Sequence, residues 1–207
     1  MTFKALQDEL VAGPTPRFSS AQRDQVKLWL NDRYAELWGL EDWTFRKAVA
    51  DLSVVAGNDQ VTEPTDIGIV LSLVRDDGAP VHYVSPDLFY QSHLTTQSAS
   101  TSDRFTVVNK QIILDPTPGT SATWKLYYDR ALTLLSADGD IPAIPAEHHY
   151  ILVHGATASG SVMVNDFTYQ FAEQRWMNEL DSMRKNYLTD QRGAPLQWGS
   201  YSQNFRW

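Results

Sequence analysis

Residues 124–154 read WKLYYDRALTLLSADGDIPAIPAEHHYILVH, and their pattern changes twice. Trp124, Leu126 and Tyr128 fall on one face of an extended chain and Lys125 and Tyr127 on the other, as a half-buried strand requires. Asp138-Gly139-Asp140 is a turn signal. Pro142 and Pro145 fix φ near the extended value, so no helix can run through the loop. A helix can start only after Pro145, where Ala146, Glu147 and the apolar residues Tyr150, Ile151, Leu152 and Val153 follow. The order is therefore strand, acidic proline loop, long helix.

Upstream, residues 2–12 carry Phe3, Leu6 and Leu10 at helical spacing, and Gly13-Pro14-Thr15-Pro16 stops that helix. Ser19 and Gln22 fit a capping box for a second helix. Val26, Leu30, Tyr34 and Leu37 line one side of it, Trp29 and Trp38 flank that side, and Gly39 ends it. The middle of the chain reads as β structure. Trp43-Thr44-Phe45 and Leu52 to Val55 look like strands, and Ile67, Ile69, Leu71 and Leu73 occupy every second position. Asp76-Asp77-Gly78 turns the chain into a strand from Val81 to Val84. Residues 91–103 hold seven Ser or Thr in thirteen positions and predict an exposed loop. Phe105 to Val108 and Gln111 to Leu114, joined by Asn109-Lys110, predict a hairpin.

After the proline loop, a helix is expected from about Glu147 to Val164, with Gly155 and Gly160 inside it. Each glycine costs about 1 kcal/mol against Ala, which implies that a neighbour approaches closely. Asn165 or Asp166 can break the chain, and a last helix runs to about Asp190. Trp176, Leu180, Met183 and Tyr187 recur at spacings of four, three and four, a seam suited to helix-bundle or ring packing, and Phe167, Phe171 and Met177 widen the stripe. The expected fold is α+β. The terminal helices form an antiparallel bundle, an antiparallel β domain is inserted in it, and an extended tail follows. The boundaries are residues 1–42, 43–133, 134–190 and 191–207.

Composition narrows the function classes. The 207 residues are 43% hydrophobic and 20% charged, ordinary for a folded protein. The 12% aromatic share, with seven Trp, is high and suits partner surfaces or a Trp-rich core. A net charge of −8 disfavours nucleic-acid binding by a basic surface, though it suits a channel wall past which DNA slides without sticking. With no cysteine there is no disulfide, thiolate metal site or cysteine nucleophile. No signal-peptide core and no membrane span of about 20 apolar residues are visible, so a reducing cytoplasm is expected.

The tail, residues 191–207, reads QRGAPLQWGSYSQNFRW. Gly193, Pro195 and Gly199 forbid a regular helix, yet Trp198, Tyr201, Phe205 and Trp207 are poor residues for a solvated segment. From Arg184 onward four basic residues (Arg184, Lys185, Arg192, Arg206) face one acidic residue (Asp190). Such a segment suits a groove on a partner; folding back on its own domain is the plainer alternative. Burying four aromatics yields roughly 6–12 kcal/mol, and ordering some fifteen residues costs on the order of 15–30 kcal/mol. Docking therefore also needs backbone hydrogen bonds, or the avidity of several tails.

Catalytic and metal patterns fail on spacing. His154 lies five and six residues beyond His149 and His148, not the four that helical ligands need. Asp138-Gly139-Asp140 lacks the later ligands of a calcium loop. The run from Gly155 to Gly160 has one residue too many for a nucleophile elbow, and no phosphate-binding glycine loop occurs. No cofactor is expected, and the chain is not expected to be an enzyme.

The chain resembles the head–tail connector (head-to-tail adaptor) proteins of tailed bacteriophages. The likeness rests on the helix pair ending near Trp38 and Trp43, the segment Ile112-Ile113-Leu114-Asp115-Pro116, the Leu126-Tyr127-Tyr128 strand, the run from Asp140 to Pro145, and the two long helices. The resemblance implies a structural subunit of an oligomeric ring, commonly twelve-fold, that joins the portal protein to the tail or the next connector protein and continues the DNA channel. It implies as partners the portal protein, neighbouring adaptor subunits and a downstream stopper or tail protein. DNA would pass without sequence-specific binding, and no membrane is involved. The location would be the neck of the virion, assembled in the bacterial host cytoplasm. Residues 191–207 would correspond to the extension that inserts into the portal, with Arg192, Leu196, Trp198, Tyr201, Phe205, Arg206 and Trp207 as its contacts. The middle segment is larger than in the smallest family members. A stopper or tail-completion protein of the same machine is the nearest alternative; a carbohydrate-binding β module is a more distant one.

Overall fold

The computed structural model describes residues 1–13, 17–92, 100–163 and 167–188. The chain divides into two compact units. One comprises the described residues of Met1–Thr44 and those from Ser136 to Leu188; the other those of Phe45–Leu135. The fold class is mixed α+β, with five α-helices and a seven-stranded sheet among the described residues.

The helical unit contains α1 (Phe3–Val11), α2 (Arg23–Leu40), α4 (Tyr150–Met163) and α5 (Tyr169–Tyr187). Helix α4 packs against the other three. That position explains its sequence: Ile151, Leu152, Val153, Ala156 and Ala158 are all buried, so apolar residues surround the helix instead of forming a stripe. Gly155 and Gly160 are contact points. A Cβ at Gly155 would lie 2.6 Å from Trp176 Cε3, and one at Gly160 would lie 2.3 Å from Phe18 Cζ. Helix α2 buries Val26, Leu30, Tyr34 and Leu37, together with Trp29 and Trp38. Gln22 Oε1 accepts from the Ser19 N–H at 2.9 Å at its start, and the helix continues one residue past Gly39.

Trp43-Thr44-Phe45 is not a strand. Thr44–Arg46 forms a 3-10 turn, and the fully buried Trp43 donates its indole N–H to Leu37 O at 2.7 Å. A carbonyl near the end of α2 thereby gains a partner, since the last carbonyls of a helix have none within it.

The second unit holds β1 (Lys47–Val54), β2 (Gln60–Thr62), β3 (Ile67–Val74), β4 (Pro80–Tyr83), α3 (Pro86–Ser92), β5 (Arg104–Val108), β6 (Gln111–Asp115) and β7 (Ala122–Arg130). The strand order is β1-β7-β3-β4-β5-β6-β2. Each pairing is antiparallel except β4 with β5, so the sheet is not purely antiparallel as the sequence suggested. Side chains from all seven strands enter one core, among them Leu52, Val61, Leu73, Val81, Phe105, Ile112 and Trp124. Strands β1 and β2, at the two ends of that order, are consecutive in the chain and joined by residues 55–59. The β5–β6 turn holds Asn109 and Lys110 at φ 52° and 62°, the pair of positive values that a two-residue hairpin of matching twist requires.

Candidate interaction surfaces

The acidic loop secures the start of α1. Phe3 N–H donates to Asp140 O at 2.7 Å and Lys4 N–H to Asp138 O at 3.0 Å, while Ala5 N–H reaches Thr2 Oγ1 at 3.2 Å. Two of the first three free donors of α1 are thus satisfied by a loop more than 130 residues away in sequence, and the third by the Thr2 side chain at the N-cap. Asp140 Oδ2 in turn accepts from the N–H groups of Ser136 and Ala137, at 2.7 and 2.8 Å. Those bonds hold its carboxyl below the usual carboxylate range. Farther along the loop, Ala143 N–H donates to Tyr34 Oη at 2.8 Å, and Ile144 is buried.

The histidines have separate partners. His148 Nδ1 meets Glu179 Oε1 at 2.6 Å. His149 Nε2 meets Ile144 O at 3.1 Å, and burial lowers its pKa. His154 is also lowered, first by burial and then by the charge of Arg175. No group of His, Cys, Asp or Glu among the described residues is placed to hold a metal ion, and no described helix is long and apolar enough to cross a membrane.

Of the residues read as a packing seam, Trp176, Leu180 and Met183 are buried within the helical unit itself. Tyr187 is half-buried, stands edge-on to His148 and donates its hydroxyl to Glu147. Arg33 braces this region, a role its sequence position does not announce. Its guanidinium donates to Ser159 Oγ at 2.9 Å and to Glu173 at 3.0 Å, and it lies 5.2 Å from the centre of the Trp176 ring. The expected contacts in the tail, Arg192, Leu196, Trp198, Tyr201, Phe205, Arg206 and Trp207, lie outside the described residues, as do Asn165, Asp166 and Asp190.

Phe167, Phe171 and Met177 do not widen the buried stripe. Phe167 is 85% exposed and Phe171 76%, and Met177 also faces outward. The reason is angular: Phe171 sits five residues before Trp176, about 140° around the helix from it. Val162 and Met163 at the end of α4 are likewise exposed. Among the described residues, the end of α4 and the start of α5 therefore carry exposed apolar side chains, the kind of patch that marks an interaction site. The β unit has a second one. Val49 and Tyr127 pair across β1 and β7 and are exposed, as are Ile69 and Leu71 on β3.

A structural part for these surfaces agrees with what the chain is similar to. No curated protein matches it. The family described as SU10 adaptor protein matches residues 1–199 of the 207. With both long helices, the β unit and the proline loop inside that match, the chain belongs to the SU10 adaptor protein family, a family of phage head–tail adaptors.

Proposed function

We propose that the protein is a non-catalytic subunit of a ring, twelve-fold as in its relatives by resemblance, that joins the portal to the tail or to the next connector protein. The family match over residues 1–199 carries this reading. In the ring the helical units pack side by side as antiparallel bundles, and the acidic chain, at net charge −8, lines a channel that DNA traverses without lodging. The ring belongs to the neck of the virion and is assembled in the host cytoplasm. Exposed apolar side chains at the end of α4 and the start of α5 support the presence of partners, because isolated subunits seldom leave phenylalanines this exposed.

The tail, residues 191–207, grips the portal through Arg192, Leu196, Trp198, Tyr201, Phe205, Arg206 and Trp207. Deleting residues 192–207 tests this. The shortened protein is expected to fold with an unchanged unfolding midpoint and to fail to attach to DNA-filled heads that carry the portal. Normal attachment would overturn the role given to the tail.

A further inference from the structure

The sheet has an open seam. Strands β3 and β4 pair only at Leu73↔Val81 and Val74↔Pro80. From there β4 turns to β5, with which it pairs at His82↔Arg104 and Tyr83↔Phe105. The first six residues of β3 hold β7 on one side and have no strand on the other among the described residues. A hollow of about 500 Å³ occupies the gap. Ile67, Ile69 and Val70 line it from β3, together with Tyr83, Val107 and Glu63. Ile69 is 59% exposed and Leu71 48%. An apolar strand with a free backbone edge is an aggregation hazard that proteins normally blunt with charge, proline or a cover. Residues 67–72, Ile-Gly-Ile-Val-Leu-Ser, contain neither charge nor proline.

We infer that this seam receives an extended strand from another protein of the assembly, which pairs with β3 and closes the sheet. Three observations define the occupant. An unpaired strand edge presents alternating N–H and C=O groups, and another extended backbone matches both. The unpaired stretch of β3 is only six residues long and shares the hollow with Tyr83 and Val107, which suits one short extended segment. Glu63 is the one charged side chain of the lining and has no ion-pair partner among the described residues, and the whole chain is acidic. The segment is therefore apolar at alternate positions, basic near Glu63, and supplied by a different protein in preference to a second acidic copy. Six residues of β3 offer about 20 Å of pairing length. The inference rests on the proposed place of the protein in a virion.

The absence of cysteine provides the test. Ile69→Cys and, separately, Leu71→Cys place a single thiol on the seam at exposed sites that tolerate the change, and Val55→Cys, 53% exposed, is the control. Maleimide labelling is compared between the free protein and purified particles, with hydrogen exchange of residues 67–74 followed in both. A photo-crosslinker at position 69 identifies the neighbour by mass spectrometry. Labelling at 69 and 71 is expected to slow at least tenfold in particles, exchange to slow likewise, and the adduct to map to an extended segment of a different virion protein. Labelling that stays fast overturns the inference, as does unchanged exchange, or an adduct with a second copy of this chain, its residues 189–207 included. Absence of the protein from particles would instead overturn the adaptor function itself.

Discussion

Gly155 on α4 faces Trp176 on α5 with no room for a methyl group: a Cβ would stand 2.6 Å from Cε3 and 2.8 Å from Cζ3 of the indole. The indole cannot readily slide aside, because it is buried and Arg33 lies over the ring. Gly160 is tighter still, against Phe18 and Trp29. Replacing glycine by alanine inside a helix normally gains about 1 kcal/mol, and overpacking a core costs about 1–3 kcal/mol. Gly155→Ala and Gly160→Ala are therefore expected to lower the urea midpoint at constant slope, Gly160→Ala by more. Gly39 has nothing within 4 Å of its Cβ position, and Gly39→Ala is expected to raise the stability by about 0.5–1 kcal/mol, and the midpoint with it. Equal effects at the three sites would show that packing is not what selects glycine here.

These glycines were legible in the sequence because glycine inside an apolar helical run needs a reason. The Trp124-Leu126-Tyr128 alternation was legible for a similar reason: its strand has one wet face and runs in unbroken register against β1. Strand β3 shows where that logic stops. Its register against β7 shifts twice, between Ile67 and Ile69 and between Val70 and Ser72, so Leu73 points inward while Ile69 and Leu71 point to solvent. A bulge exchanges faces without altering the every-second-residue pattern, so alternation alone cannot reveal it. Helix α3 was not anticipated, since seven residues are too few to display a helical period. Phe171 faces outward because its angle around α5, not its hydrophobicity, decides its side, and Phe167 precedes the helix altogether. Arg33 was not legible because its local ion pair with Glu36 is an ordinary i,i+3 helix pair, while Ser159 and Glu173 are more than 120 residues away.

Two histidines, His149 and the half-buried His154, are expected to shape the acid side of the stability curve. An unfolded histidine takes up a proton near pH 6.5. Burial lowers the pKa of both His149 and His154 in the folded chain. Below about pH 6.5 the unfolded state thus binds more protons than the folded state, and stability falls with pH; above it the two states bind alike and the slope vanishes. The unfolding midpoint is expected to be level from pH 7 to 8 and to drop between pH 6.5 and 5. Either His→Gln substitution should flatten part of that drop, and the double substitution most of it. A drop unchanged in the double variant would assign it elsewhere.

Asp140 acts in a lower window. Its folded carboxyl titrates below the usual value because the Ser136 and Ala137 N–H groups bond the charged form. The resulting stabilisation is present above the ordinary aspartate pKa of about 3.9 and is lost as the pH falls through the folded value. The same residue's carbonyl caps Phe3 N–H, so loosening the loop should loosen α1. Asp140→Ala is expected to speed hydrogen exchange across Phe3–Val11 with little change in α5. Asp140→Asn keeps an acceptor oxygen and should retain more of the protection while losing its acid dependence. Uniform acceleration across all helices would mean that the loop supports the whole unit instead of the start of α1.

Phe167 and Phe171 separate folding from assembly. A residue 76–85% exposed contributes little to its own subunit, and substitutions at such sites generally change stability by no more than about 0.5 kcal/mol. Phe167→Ser with Phe171→Ser is therefore expected to leave the unfolding midpoint of the free protein nearly unchanged. If the patch is covered by a neighbour, each ring buried there adds about 1.5–3 kcal/mol to association, and losing two should reduce incorporation into heads by well over tenfold when wild-type and doubly substituted subunits compete. Ser substitution at Ile141, exposed in the loop before the start of α4, gives a comparison that removes apolar surface at the other end of that helix. Equal incorporation of the Phe167/Phe171 variant and wild type would show that the uncovered phenylalanines play no part in holding the assembly together, and a fall in the free protein's midpoint would show that they pack within the subunit after all.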